Sequence, residues 1–577
     1  MDKKNNLEIL RHSLSHVLAS AVLEMFPEAK FGIGPATDNG FYYDFELPRT
    51  LIPEDLPILE EKMKRIISEN LPFERQEISE KEALEHFEKL GQKYKVELIQ
   101  DLLRDGNQIV SVYKTGNFVD LCSGPHLDST GEIPSDSWKL TRISGAYWKS
   151  DEKKEQLQRI YGVAFETKQE LVAYEKMIEE AEKRDHKKLG RELDLFTFHA
   201  EAPGSAYWHP KGMIIWNELE KLGKSLRKKY GCQEIQTPIL AKSILWKTSG
   251  HWDHYKDDMF HFEAGNDEYA MKPMDCPFNI QLFQEKQRSY RELPIRMSEI
   301  GRVFRNEKSG ELNGLFRVQH ITQDDAHIFC AEEQIENEIT TLLKAVREYY
   351  SFFNINPEFF FANRPEDSMG DPESWNKAEK ALLTALKKED LKYGLKEKDG
   401  AFYGPKIDIN IHDALGRSWQ LATIQLDFQL PERFELEYVD KDGSKNRPVI
   451  IHAAIFGSFE RFIGILTEHF AGAFPTWLSP VQTIIIPVGE KFNDYALSLS
   501  DKLSLSGIRV EIDNSDESLG KRIRNAEKQK IPYILVVGEK EMNEKTVAVR
   551  SREKGDEGTT KFSEFLEKIG KEIIEKK

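Results

Sequence analysis

At 577 residues the chain is too long for one hydrophobic core, and about 150 residues per domain gives a prior of roughly four units. With 39% hydrophobic, 11% aromatic and 31% charged residues it is too apolar for disorder. Its formal charge of −17 excludes a protein that coats nucleic acid non-specifically, although local basic stretches such as 183–191 and 521–530 leave room for a folded RNA partner.

No window holds 18 consecutive apolar residues, and the N-terminus enters an amphipathic pattern without a signal-peptide core. The expected location is the cytosol, with no membrane partner and no DNA. Four widely spaced cysteines, Cys122, Cys232, Cys276 and Cys330, suit a reducing compartment.

In chain order, Leu7, Leu10, Leu14, Val17, Leu18, Ala21 and Met25 recur at helical spacing and predict one apolar stripe. His12 and His16 fall on the opposite side, pointing together into solvent or a cleft. The run FGIGPATDNGFYYDF (31–45) predicts strand and hairpin with Asn39-Gly40 as its turn. Mixed α and β structure continues to about residue 163, and the charged stretch 166–192 reads as a linker helix. Residues 193–479 form the largest unit, α+β around a large sheet, with strand-like runs AFYGPKIDINI and SWQLATIQLDF. In the last hundred residues short apolar runs alternate with helical patterns, predicting a small α/β domain with a mostly parallel sheet. The division is therefore 1–163, 164–192, 193–479 and 480–577.

Three sets of residues carry chemistry. His12-x-x-x-His16 with Cys122-x-x-x-His126 supplies either metal ligands or acid/base and hydrogen-bonding groups. Cys276, His327 and His452 read either as satisfied structural residues or as a zinc site with an open coordination position, and their wide separation makes spacing uninformative. Arg302, Arg305, Glu307, Arg317 and Arg461 form a cationic set suited to phosphate oxygens. Neither a Walker-type loop nor a GxGxxG fingerprint occurs, so an ATP site must be built otherwise.

These sets in this order, with FRNE, GSFERF, Pro238 in EIQTPIL, KTSGHWDHY, TQDDAHIF, FYGPKID and IQLDF, resemble the threonyl-tRNA synthetase family over nearly the whole chain. The resemblance implies a multidomain α+β protein: an N-terminal editing domain, a class II antiparallel-sheet catalytic core and a C-terminal α/β anticodon-binding domain. It implies one zinc per chain on Cys276, His327 and His452, and magnesium with ATP. Arg305 would grip the α-phosphate, Glu307 the adenine amine, and Arg317 and Arg461 the outer phosphates, with Gln420 and Thr423 near the nucleotide. Gln323, Asp325, Tyr403 and Lys406 would line the threonine pocket, and His251 would help deprotonate the tRNA 3′-hydroxyl. His12, His16, Lys95, Asp120, Cys122 and His126 match a pocket that hydrolyses seryl-tRNA, and Glu541 and Arg550 would read the anticodon.

Threonine tRNA, ATP, L-threonine and a second copy of the chain are the implied partners. A catalytically silent tRNA-binding paralogue is the alternative reading. Departures from the family pattern are Phe278-Asn279 for Gly-His, Leu421-Ala422 for Cys-Gly, Ala453 for an arginine and Asp516 for asparagine. They bear on pocket shape and anticodon contacts. A ubiquitin-like domain usual ahead of the editing helix is expected to be absent.

Overall fold

The computed structural model describes residues 3–104, 109–151 and 153–576. The chain divides into two compact units, 1–179 and 180–577. Among the described residues no helix is long and apolar enough to cross a membrane.

In the first unit the helix Lys3–Met25 packs on a sheet in which Lys30–Phe31, Gly40–Glu46, Gln156–Ala164 and Trp138–Tyr147 pair in that order. Leu10, Leu14, Val17, Leu18 and Val22 join Phe41, Tyr43 and Phe45 in its core, each large side chain contributing about 1.5–3 kcal/mol by leaving water. The helix does not have one wet side, because Ser13, Ser15, Ala19 and His16 are buried as well. The expected hairpin forms one residue early: Thr37 pairs with Gly40, so Asp38-Asn39 makes the turn. Gly40 opens the next strand, where a Cβ would meet the Gly162 carbonyl oxygen at 2.0 Å. A second sheet, Glu74–Ser79, Ile109–Thr115 and Phe118–Leu121, is backed by the helices Glu80–Lys89 and Lys93–Arg104.

The expected linker helix is two helices, Lys168–Arg184 and His186–Glu192. Asp185 breaks the run by capping the second one, its carboxylate accepting from the amides of Lys187 and Lys188.

The second unit is built on an eight-stranded sheet in the order Gln233–Glu234, Ile295–Phe304, His320–Cys330, Val449–Ser458, Ser418–Asp427, Lys406–His412, Pro357–Ala362 and Tyr393–Lys396. The six central strands are antiparallel and each edge strand joins in parallel. Side chains alternate across a pleated strand, so Ile451, Ala453, Ile424 and Leu426 face the helices Pro210–Lys229, Ile335–Ser351 and Phe459–His469 in the main core. The intervening residues face the opposite side, where the functional residues lie.

The C-terminal sheet is mixed, correcting the expectation of a mostly parallel one. Val510–Ile512, Thr483–Pro487 and Tyr533–Val537 are parallel, but Thr546–Ser551 and Gly555–Lys561 add an antiparallel hairpin. Arg509 ties this region to the rest of its unit, donating to Glu218 at 2.9 Å and to the Trp477 and Ser479 carbonyls.

Candidate active sites

Register explains how the cysteine–histidine set comes together. His327 stands opposite His452, His452 opposite Gln425, and Gln425 opposite Lys406. Residues directly opposite share a face of the sheet, so the four line one row. The next row is Asp325, Ala454, Thr423 and Asp408. Cys276 begins the helix Cys276–Gln284, and its thiol reaches the two histidines from above that face.

The donor atoms of Cys276, His327 and His452 all lie within 4.8 Å of one another, and all three residues are buried. Burial pushes the Cys276 thiol well up, helped by the carboxylates Asp325, Asp427 and Asp275, and burial pushes His327 well down. One thiol and two imidazoles among carboxylates are a donor set that a divalent cation would stabilise, so these residues fit zinc. Asp427 accepts a hydrogen bond from His452 Nε2 at 2.9 Å, leaving Nδ1 as the nitrogen free to bind metal. The Tyr403 ring lies 5.5 Å from that of His452, and Asp325 stands 3.8 Å from His327 Nδ1. Lys406 is paired with Asp408 at 3.1 Å and Asp399 at 3.7 Å.

A cleft of 630 Å³ adjoins this row, lined by Arg305, Glu307, Arg317, Gln323, Gln420 and Arg461 among others. Its cations are arranged for an anion. Arg461 Nε is buried without a hydrogen-bond partner, and burial followed by the nearby Arg317 lowers the pKa of its guanidinium. Arg461 is carried on the first turn of the helix Phe459–His469, capped by Ser458, whose amide end also favours negative charge. Arg317 instead pairs with Glu307 at 2.7 Å and with Glu311. Phe316 and Trp419, 4.5 Å apart, supply aromatic lining.

Thr423 does not line the cleft; its hydroxyl lies 3.5 Å from Asp408. Arg302, exposed and opposite Thr322, lies outside the cleft as well. His251 is fully buried, bonded through Nδ1 to Ser249 Oγ at 2.7 Å, with Nε2 lacking a partner. Burial, then His452 and Arg305, lowers its pKa to about 3.

Most departures from the family pattern lie behind the pocket rather than in it. Phe278 packs on Trp246, Asn279 bonds to Glu299 at 3.3 Å, and Ala422 and Ala453 face the helices. Leu421 does line the cleft, and Asp516 is exposed.

In the first unit, His12, His16, Cys122 and His126 meet around a cleft of 530 Å³ that Lys95 and Asp120 also line. Cys122 Sγ lies 3.3 Å from both His12 Nε2 and His126 Nε2. Burial pushes the thiol up to about 11, so at neutral pH it is a thiol and not a nucleophilic thiolate. Burial also lowers His12, His16 and His126, leaving neutral imidazoles that can accept hydrogen bonds from water or donate them to it. Asp120 is held by Lys95, by His16 Nε2 at 3.4 Å and by the buried hydroxyl of Tyr43 at 2.6 Å, and Lys95 also donates to Tyr43 at 3.0 Å. Sequence reading missed Tyr43, whose alternation with Phe41 and Phe45 resembles an ordinary core position.

Of the two residues expected at the anticodon, Glu541 caps its own helix by accepting from the Gly538 amide at 3.0 Å. Arg550 lies 3.6 Å from Asp556 and 3.9 Å from Glu527.

An antiparallel sheet with an arginine-lined cleft on one face defines a class II aminoacyl-tRNA synthetase core. The chain matches the tRNA synthetase class II core domain (G, H, P, S and T) over residues 260–470. It also matches the anticodon binding domain over 482–572 and the threonyl and alanyl tRNA synthetase second additional domain over 110–161. It is 50% identical to a threonine–tRNA ligase of Clostridium tetani across 99% of this chain and 89% of that protein. It is 51% identical to the one from Caldanaerobacter subterraneus across 99% and 88%. A crystal structure of the RNA binding domain of threonyl-tRNA synthetase from Cryptosporidium parvum superposes with a TM-score of 0.65 at 41% identity, covering 67% of this chain and 98% of that one. A putative threonyl-tRNA synthetase from Aeropyrum pernix gives 0.61 at 28% identity, covering 68% and 97%. The chain belongs to the threonine–tRNA ligase family.

Proposed function

We propose that the chain activates L-threonine with ATP, transfers it to the 3′-end of threonine tRNA and hydrolyses mischarged seryl-tRNA. The observation that carries this reading is the convergence of Cys276, His327 and His452 beside the arginine-lined cleft. Zinc held there would supply a Lewis acid for the amino and hydroxyl groups of threonine. Gln323, Asp325 and Tyr403 orient the amino acid. Arg305 and Arg461 hold the α-phosphate and the outer phosphates, and nucleotide binding exchanges the Glu307–Arg317 pair for adenine on Glu307 and phosphate on Arg317. Gln420 belongs to the nucleotide side, whereas Thr423 stands in the row of Asp325 and Asp408, and Lys406 in the row of His327 and His452. Magnesium accompanies ATP. His251 Nε2, neutral and unpartnered, would assist by accepting a hydrogen bond from the tRNA hydroxyl; its lowered pKa makes it a weak base.

A pocket that binds a hydroxyl rejects valine but separates serine from threonine by only one methyl, about 1–3 kcal/mol. The first unit therefore proofreads, with His12, His16, Cys122 and His126 positioning water and Lys95 and Asp120 ordering them. The functional division is 1–163 for editing, 164–192 for the link, 193–479 for catalysis and 480–577 for the anticodon, with Glu541 and Arg550 as candidate readers. The working state is a cytosolic homodimer: Ile239, Leu240 and Ile244 are 38%, 45% and 65% exposed beside Pro238 and the parallel edge strand Gln233–Glu234. Purified protein with ATP should load threonine onto threonine tRNA and release serine from seryl-tRNA. Folded protein that binds the tRNA without loading it would instead establish the silent paralogue.

A further inference from the structure

A charged side chain lies on the helix-covered side of the sheet, between the apolar core and a cavity that it lines with Asp324, Ser298 and Glu299. Arg227 closes the core-facing row Leu219, Leu222 and Leu226 of the helix Pro210–Lys229, and it is 5% exposed. A leucine would be the economical residue there, since a buried guanidinium is stable only when its donors are satisfied. Arg227 meets that requirement only in part: Nη1 has no hydrogen-bond partner, while Nε and Nη2 are held in a specific way. Its Nε donates to Asp324 Oδ1 at 3.0 Å, Nη2 lies 2.9 Å from the same oxygen as an ion pair, and Nη2 donates to the main-chain oxygens of Asp324 at 3.1 Å and Ala453 at 3.0 Å.

The Asp324 oxygen lies where the ladder between His320–Cys330 and Val449–Ser458 loses register, and the Ala453 oxygen lies at its margin, where Ala453 still pairs with Ala326. Asp325 pairs with Ala454 but Gln323 pairs with Ser458, so Asp324 alone stands opposite residues 455–457. Gly457 takes φ 69° there, and a Cβ on it would meet the Leu421 carbonyl oxygen at 2.6 Å. Main-chain groups inside such a bulge have no cross-strand partner, and buried ones must find another. Arg227 takes two carbonyls, Asp324 Oδ2 accepts from the Ile455 amide at 3.3 Å, and Tyr350 donates to the Ile455 carbonyl at 2.8 Å.

The bulge also separates the two substrate sites. On one side lie His327, His452 and Asp325; on the other lie Ser458 and Arg461, with Gln323 at the junction. We propose that Arg227, acting through Asp324, is a positioning residue that fixes the bulge and thereby sets the amino-acid row in register with the nucleotide cleft. Ala453 stands opposite Ala326, two residues from Asp324 on the same face. An arginine at that position, as in the family pattern, would therefore approach the same carboxylate from the strand instead of the helix. In this chain the guanidinium comes from the helix.

This inference rests on the proposed threonine activation, so wild-type exchange is the control: no wild-type exchange would sink that reading and not this one. The test compares R227L/D324N, which removes the pair together and leaves no lone buried charge, with R227L and R227L/A453R. Threonine-dependent ATP–pyrophosphate exchange, zinc content and circular dichroism are read on each. For folded R227L/D324N we expect kcat to fall at least tenfold, because small misplacements between reacting groups cost roughly a hundredfold. Both KM values should stay within threefold and zinc at the wild-type level, since the ligand row lies on one side of the bulge. R227L/A453R should recover most of the rate lost in R227L. A kcat within twofold of wild type in R227L/D324N would overturn the proposal. So would collapse of zinc, KM and kcat together, or an R227L/A453R rate no higher than that of R227L.

Discussion

Replacing Asp427 by asparagine would test how the metal row is held. Asp427 is fully buried; Oδ1 accepts from the amides of Gln429 at 2.7 Å and Leu430 at 3.0 Å, and Oδ2 accepts from His452 Nε2 at 2.9 Å. In D427N the amide oxygen is required at the two backbone donors, so the NH2 group turns to His452. Nε2 must then accept, the proton moves to Nδ1, and the nitrogen that would bind zinc loses its lone pair. Asparagine remains a good helix cap, so the fold should survive. Loss of such a supporting carboxylate typically costs 10- to 100-fold in metal affinity, about 1.4–2.8 kcal/mol at 1.4 per decade. Titration against a chromophoric chelator should show that weakening, with threonine exchange falling unless zinc is supplied in excess. Zinc affinity within twofold of wild type would refute the assigned tautomer.

Replacing His12 and His16 together by alanine should leave threonine loading intact while seryl-tRNA accumulates; unchanged deacylation of seryl-tRNA would remove these residues from the editing reaction. The first unit should lose stability on acidification. His12, His16 and His126 have lowered folded-state pKa values and Glu46, Asp55 and Glu97 do as well, so below about pH 6.5 the unfolded chain binds more protons. The three histidines alone set an upper slope of about 4 kcal/mol per pH unit. Hydrogen exchange of the Lys3–Met25 amides, corrected for intrinsic rates, should therefore quicken between pH 7 and 5.5, and stronger protection at pH 5.5 would contradict the sign. G40A should break the pairing of Gly40 with Val163, because a carbonyl oxygen occupies the space, and lower stability by about 2–4 kcal/mol; a melting temperature equal to wild type would show that the strands can part without cost.

What the sequence made legible follows from local periodicity. The run 418–427 reads as a strand, as does 406–412, because apolar and polar residues alternate there. The meeting of Cys276, His327 and His452 is set by strand order, which brings 320–330 beside 449–458, and no local pattern encodes that order. Resemblance to a family supplied it instead. His16 is expected on an open face because Ser13 and Ser15 count as polar on a helical wheel, yet the Ser15 hydroxyl donates to the Gly34 carbonyl at 2.6 Å and packs as a small residue. The strand Gly555–Lys561 escaped notice because it is an edge strand, mostly exposed and almost wholly polar. Arg227 gave no signal, since one arginine ending an apolar row looks like a solvated helix terminus.

The central claim is that the cysteine–histidine row beside the arginine cleft selects threonine for adenylation. Amino-acid-dependent ATP–pyrophosphate exchange by purified protein, with zinc measured on the same sample, tests it most directly. The account predicts exchange with threonine, weaker exchange with serine, none with valine, proline or histidine, and about one zinc per chain. Folded protein that supports no exchange with threonine, or that exchanges equally with valine, would contradict it.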